Sequence, residues 1–302
     1  MKIHKRAAVY LSVVIVVASS VWAQPSYEWK DGLDRKASTH SQVTTLDLIK
    51  KIFPDAHVKA KNVGQAETSS SPSLRHLYGE GLDENIFGGA SDLYVVDKRE
   101  TLDGKDRIVW LLISASEESR PNCNHCVRDI LAAFRISKND AALIDAANIQ
   151  MYDRSEFDST RPVLRIARTH NAVVVWNISQ LSISPETFSV IAVGKAKFEI
   201  LLGQFNTFRE FMCGGGYGEQ SDIRALRTSR RGYRDLQIII TTEQMEERNN
   251  GAETVITFRQ RFRYVFRWDP RTRRYKPMVD PDRKRRRLLK KLVPCGRKSI
   301  VN

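Results

Sequence analysis

The 302-residue sequence contains only four cysteines, and beyond residue 23 no apolar run approaches the roughly 18 residues of a membrane-spanning helix. Four cysteines are too few for a disulfide-dense miniprotein. A hydrophobic share of 41% with 28% charged residues excludes wholesale disorder and a collagen-like repeat. We therefore expect a globular protein that is soluble or peripheral to a membrane once its N-terminal segment is removed.

Several short catalytic motifs are also missing from the sequence. There is no Gly-x-Ser-x-Gly turn and no His-Glu-x-x-His helix, which excludes these two routes to a hydrolase. The run Gly214-Gly215-Gly216 could cradle an anion with its backbone N–H groups, or it could be a tight loop over residues 213–218. No Gly-Lys-Ser/Thr follows it, so a nucleotide-binding P-loop is excluded. We expect no cofactor and no bound metal.

The N-terminus has the three-part pattern of a secretory signal peptide. Lys2, Lys5 and Arg6 precede the apolar residues 7–18, and small or β-branched residues occupy the positions before a cut after Ala23. An uncleaved membrane anchor is the alternative, but the apolar run is short for a span. We predict that the protein is exported, to the periplasm or the cell exterior.

Acidic residues are scarce in the last quarter of the chain. From residue 224 to the end there are 23 Lys/Arg and 8 Asp/Glu, a charge of +15, whereas residues 24–223 carry −4. Such an asymmetry points to a C-terminal region that faces a polyanion.

Composition and periodicity divide the chain into four parts: a signal peptide (residues 1–23), a polar leader with a short helix and a linker (24–85), a β-rich domain (86–282) and a basic C-terminal tail (283–302). Within the leader, Thr44 and Asp47 have capping-box spacing at the start of the helix, and Pro54 ends it. The Ser- and Gly-containing residues 61–73 indicate a linker or surface loop.

From residue 90 onward the pattern is that of strands. Residues 92–97 and 107–114 are apolar and β-branched, and Asp103-Gly104 between them is a turn signal. Residues 127–136 fit either a helix or a strand. Further strands are predicted at 163–166, 172–178, 188–193 and 198–202. The fold class is mainly β, with antiparallel sheets arranged like a sandwich or a propeller fragment and a small N-terminal helix; an α+β fold is the fallback.

The clearest unit is a hairpin over residues 235–268, whose second arm alternates aromatic and arginine residues. The even-numbered residues of both arms share one face only if the turn has an odd number of residues. This favours a three-residue turn, Asn249-Asn250-Gly251, that pairs Arg248 with Ala252. This turn puts one set of apolar residues on a common buried face: Leu236, Ile238, Ile240, Phe258, Phe262 and Tyr264.

The cysteines Cys123, Cys126, Cys213 and Cys295 are expected to form two disulfides, with three possible pairings. Cys123-x-x-Cys126 could instead be the redox pair of a thioredoxin-like oxidoreductase, with a strand before it, a helix after it and Pro162 facing it. Against this, eight residues separate the strand from the motif. Zinc binding through the pair, with His125, His170 or Cys213, lacks a matching second pair of ligands.

Two resemblances can be read from short segments. Gly232-Tyr233-Arg234-Asp235-Leu236 before an apolar strand is similar to the end of FG-GAP/VCBS-type repeats, whose acidic loops surround calcium. No carboxylate lies between Asp222 and Asp235, so calcium binding is not carried over. Residues 53–56, 123–126 and 264–268 resemble segments of uncharacterised secreted bacterial β-rich proteins, which implies export and a β-rich fold.

The basic residues are the strongest electrostatic feature and fall into two groups: Arg259, Arg261, Arg263 and Arg267 on the hairpin, and Arg283, Lys284, Arg285, Arg286, Arg287, Lys290 and Lys291 in the tail. They form either a polyanion-binding region or a solvated strand face with a disordered tail. We predict an exported, non-enzymatic binding or structural module that docks on membrane headgroups, an acidic glycan or extracellular nucleic acid. The alternative function is thiol–disulfide exchange by Cys123 and Cys126.

Overall fold

The computed structural model describes residues 32–59, 62–79, 91–117, 127–149, 154–178, 183–212, 215–248, 253–278 and 282–292. The mainly β fold class is confirmed, with two short helices beside sixteen strands in the described residues. In chain order the elements are α1 (Thr45–Lys50), β1 (His57–Lys59), β2 (Asn62–Thr68), β3 (Arg75–His76), β4 (Ser91–Asp103), β5 (Asp106–Glu117), β6 (Val127–Ile136), β7 (Ala141–Asn148), β8 (Arg154–Phe157), β9 (Val163–Arg165), β10 (Asn171–Ile178), β11 (Ile183–Val193), β12 (Phe198–Met212), β13 (Gly215–Arg230), β14 (Tyr233–Arg248), β15 (Glu253–Asp269), β16 (Arg274–Pro277) and α2 (Asp282–Leu292).

The first sheet has seven strands in the order β1-β2-β4-β5-β6-β7-β3, and only the short β3–β7 pair is parallel. Its first face packs against α1, which contributes the buried Leu48 and Ile49, with Phe53 just after the helix. The capping box is confirmed, because Thr44 and Asp47 each hydrogen-bond the backbone N–H of the other. The sequence therefore specifies both the start of α1 and the face that it buries.

Two segments expected to be loose belong to this sheet and its core. Leu33, Ala37 and Val43 of the predicted leader are buried in the same cluster as α1. Residues 62–68 of the predicted linker form β2, between β1 and β4. The sequence does not predict this strand, because the residues that β2 is seen to bury, Gly64, Ala66 and Thr68, are small and not strongly apolar.

The second sheet has nine strands, in the order β16-β15-β14-β13-β12-β11-β10-β8, with β9 added beside β10. One face, here called the inner face, gathers apolar side chains from β10 through β16, including Val174, Ile238 and Tyr264. The sheet folds around this cluster, since Ala167, just after β9, forms an isolated bridge with Tyr233 of β14. Aromatic rings of β11, β12 and β15 fill the interior.

The two sheets pack face to face. Trp110 of β5 stacks on Phe198 of β12, with ring centroids 5.6 Å apart, and Leu131 of β6 lies in the same cluster as Val173 and Ile191. The indole N–H of Trp110 donates to Thr101 Oγ1 at 3.0 Å. β5 and β6 are therefore buried on both faces, and this explains why residues 127–136 show no period of two although they form a strand.

The hairpin faces are as predicted, but the turn register is different. Leu236, Ile238 and Ile240 pair directly with Phe266, Tyr264 and Phe262. Arg248 pairs with Glu253 instead of Ala252. Pairing Arg248 with Glu253 lengthens the connection by one residue. A bulge between Gln244 and Met245 compensates for it, so the aromatic residues stay on one face.

The glycine-rich segment was wrongly expected to be a loop over its whole length. Gly215 and Gly216 lie in β13 and pair with β12 on one side and β14 on the other. The backbone groups of Gly215 and Gly216 therefore belong to the sheet ladders and are not available to cradle an anion. Gly232 has φ of +86° in the turn between β13 and β14, where a left-handed residue is required.

The signal segment and all four cysteines lie outside the described residues. Within the part of the chain that the structure describes, no helix has the length and apolar character needed to cross a membrane.

Replacing Thr101 with valine should lower the free energy of unfolding by about 1–3 kcal/mol, because the buried indole N–H of Trp110 would lose its acceptor. Chemical denaturation measures this loss. Thr257→Val on the exposed side of β15 is the matched control and should change stability by less than about 0.5 kcal/mol. Equal losses in both variants would contradict the anchoring role of this hydrogen bond.

Candidate functional site

The arginines of β15 point away from the inner face. Arg259, Arg261 and Arg263 are exposed, while the intervening Phe262 and Tyr264 are buried. The outer face of β13–β16 is defined by the residues that alternate with the buried set: Gln220, Asp222, Arg224, Asp235, Gln237, Ile239, Thr241, Glu243, Arg259, Arg261, Arg263, Val265, Arg267, Arg274 and Lys276.

Acidic neighbours neutralise part of this face. Arg259 Nε lies 2.7 Å from Glu243 Oε1, and Arg267 Nε lies 3.9 Å from Asp235 Oδ2. On the flanking strands Arg224 pairs with Asp222 and Lys276 with Asp269. The predicted stripe of four arginines is thus half paired.

Arg261 and Arg263 have no acidic partner among the described residues. Their cross-strand partners are Thr241 and Ile239, which carry no charge. Side chains two residues apart on a strand are separated by about 7 Å, so these two arginines form a short row of uncompensated positive charge.

The basic run at the C-terminal end forms α2 and packs on the inner face. Leu288 contacts the apolar cluster there. Arg285 is only 4% exposed, so it is not available to a partner, and its assignment to a polyanion-binding surface is corrected. A charge run in a sequence does not reveal which of its members is buried.

Arg285 is held by a buried ion pair with Glu219 of β13. Its Nε donates to Glu219 Oε1 at 2.7 Å, a terminal nitrogen contacts Oε2, and the same nitrogen donates to the carbonyl of Asn206 at 2.8 Å. Thr242 donates its hydroxyl to Glu219 at 3.0 Å, and the ring of Phe205 lies 5.9 Å from the guanidinium. Burial opposes the charge, but the hydrogen bonds and attraction to Glu219 outweigh it and hold the pKa of Arg285 above its usual range.

The opposite side of α2 is cationic. Arg283, Lys284, Arg286 and Arg287 are exposed, and we call them the α2 basic face. Lys290 and Lys291 also belong to α2, although their side chains lie outside the description. Because α2 covers the inner face and Arg261 and Arg263 lie on the outer face, the expected single cationic region is two surfaces on opposite sides of one sheet.

The segment with Cys123, His125 and Cys126 joins β5 to β6, which are antiparallel neighbours. The helix that a thioredoxin-like context would place after Cys126 is therefore a strand. Among the described residues, no group of three or more His, Cys, Asp or Glu side chains could hold a metal ion.

One polar group that sequence reasoning missed lies where the two sheets meet. Asp129 of β6 is buried and hydrogen-bonds the side chains of Ser114 and Ser155 and the backbone of Ser155. Ser155 Oγ donates to Asn177 Oδ1 at 3.0 Å, which links the first sheet to β8 and β10 of the second. The sequence signal that could have revealed this group is the single aspartate within the largely apolar stretch 127–136.

The environment of Asp129 disfavours its charge. Burial raises its pKa to about 6, although hydrogen bonds and the nearby Arg154 act in the other direction. Its Oδ2 has no hydrogen-bond partner among the described residues. Asp129 therefore stabilises the junction best when it is protonated.

Comparison of the chain with protein-family models, with curated proteins and with solved structures gave no match.

Breaking the buried ion pair should be strongly destabilising. Arg285→Met or Glu219→Gln should each cost about 3–5 kcal/mol of unfolding free energy, because either change strands the other polar group in the core. The double variant should lose much less than the sum, as a double-mutant cycle by denaturation would measure. Arg287→Met on the exposed side is the control, with little expected change. Additive losses would contradict the coupling.

Asp129→Asn should change how stability depends on pH. The native state keeps the Asp129 proton up to about pH 6, whereas an unfolded aspartate loses it near pH 4, so the wild type loses stability as pH rises between these values. The unfolding free energy of the variant relative to wild type should therefore increase by about 2–3 kcal/mol from pH 4 to pH 7.

The control for this experiment is Asp140→Asn. A backbone hydrogen bond from Ala141 and the charge of Lys51 lower the pKa of Asp140. Its charge is therefore stabilising, and the stability of that variant relative to wild type should fall as pH rises toward 4 and change little from pH 4 to pH 7. Parallel pH profiles for wild type and Asp129→Asn would show that Asp129 is not the titrating group.

Proposed function

We propose that the protein is exported and is a non-enzymatic binding module that docks on an anionic polymer or surface through the α2 basic face. The main support for this proposal is the burial of Arg285 against Glu219, which favours a helix fixed on the sheet over a solvated tail. A fixed helix presents its charges together and avoids much of the entropy cost of ordering a tail on binding.

The arrangement of α2 favours binding over simple solvation. Arg285 and Leu288 occupy the side that contacts the sheet, and the four exposed basic residues lie on the other side. None of Arg283, Lys284 and Arg287 forms an ion pair with a described acidic residue. No described acidic side chain neutralises them, so we expect them to displace counterions from a polyanion, which is the main source of affinity in such complexes.

Binding to immobilised heparin, used as a probe polyanion, should weaken steeply with salt. The double variant Arg283→Gln/Arg287→Gln should elute at lower salt, and the slope of log affinity against log salt should become shallower by about 2, one for each lost contact. Vesicles rich in anionic lipid provide the corresponding test for a surface.

A matched control removes the same charge elsewhere. Lys195 and Lys197 are exposed in the turn between β11 and β12, so Lys195→Gln/Lys197→Gln changes the net charge equally. This variant should retain the wild-type slope. Binding that is absent or independent of salt, or an equal loss in both double variants, would contradict a specific role for α2.

A further inference from the structure

We infer that the outer face of β13–β16 is a second binding surface for acidic polysaccharide, and that one molecule can therefore bridge two such chains. The inference rests on the proposed function of α2, to which it adds a second site and a partner class. The basis is that some basic residues lie on the outer face of the sheet and others on α2, which covers its inner face.

The first observation is the separation of the two surfaces. Tyr264 lies on the inner face and contributes to the environment of Arg285, whereas its neighbours Arg261 and Arg263 are exposed on the outer face. A sheet with a helix packed against it lies between them. We therefore expect a short oligosaccharide to contact either Arg261 or the α2 basic face, and not both.

The second observation is the charge of the outer face. The face as defined carries seven basic side chains. Four of them form ion pairs, with Asp222, Asp235, Glu243 and Asp269. The remaining basic residues are Arg261, Arg263 and the exposed Arg274. Positive charge is therefore in excess on this face, even though Glu243 neutralises Arg259 from the neighbouring strand.

The third observation concerns the kind of polyanion that fits. Around Arg261 and Arg263 lie Gln220, Gln237 and Thr241, which offer amide and hydroxyl groups, together with the apolar Ile239. No aromatic side chain belongs to the set that defines this face, and single-stranded nucleic acids bind largely by stacking bases on aromatic rings. Hydroxyl-rich acidic sugars match the arginines and amides and need no stacking platform.

The test measures stoichiometry with a short heparin oligosaccharide as the acidic sugar. Calorimetry of the full protein should give two oligosaccharides per molecule. Arg261→Gln/Arg263→Gln should reduce this to one, replacement of all four residues of the α2 basic face by glutamine should also reduce it to one, and Lys195→Gln/Lys197→Gln should leave it at two. Circular dichroism verifies that each variant is folded, which the exposure of the changed residues favours.

Long heparin provides the functional readout. The wild type and the lysine control should cross-link it, with a rise in light scattering that high salt reverses, and neither of the variants that lose one surface should do so. If Arg261→Gln/Arg263→Gln still binds two oligosaccharides or still cross-links, the second site is refuted while the role of α2 stands. If only the α2 variant behaves as wild type, the proposed function fails instead.

The choice of partner is tested by single-stranded DNA of equal charge. DNA should bind the outer face at least tenfold more weakly than the oligosaccharide, measured in the variant in which all four residues of the α2 basic face are glutamine. Equal or tighter binding of DNA there would overturn the assignment to polysaccharide.

Discussion

The alternation of inward-facing and outward-facing side chains along β13, β14 and β15 governs the C-terminal half of this protein. Because the aromatic residues of β15 must point inward, its arginines must point outward. The same alternation turns Glu219 inward on β13, where a carboxylate needs a partner. Arg285 supplies it from α2, so the position of the helix follows from the packing of the sheet.

This arrangement gives the buried ion pair a role in specificity. A buried pair contributes little net stability compared with well-packed apolar residues, but losing one partner is costly. Leu288 alone could pack in several ways along an apolar face, whereas Arg285 has one place where Glu219, Thr242 and the Asn206 carbonyl meet. The pair therefore fixes which side of α2 remains exposed.

Much of the fold could be predicted from local patterns. The capping box at Thr44, the turn at Gly104 and the two faces of the β14–β15 hairpin are each determined by residues close in sequence. Residues 127–136 could not be assigned, because a strand buried on both faces loses its alternation. The bulge at Gln244 and the sheet pairing of Gly215 depend on neighbouring strands, and no local signal specifies them.

The candidate site was harder to predict for the same reason. Glu219 and Arg285 are 66 positions apart, and the run of basic residues gives no sign that one member is buried. The pairing of Arg259 with Glu243 similarly depends on strand register. Asp129 is another long-range case, since its partner Ser155 comes from the opposite sheet.

The central claim is that the basic segment is a helix docked by Arg285 and is therefore ordered before any partner binds. Hydrogen–deuterium exchange of the free protein, followed by mass spectrometry, tests it most directly. The amides of residues 286–292 should exchange slowly in the wild type and rapidly in Glu219→Gln, while β5 and β6 remain protected in both. Exchange at the rate of an unstructured peptide in the wild type would contradict the account.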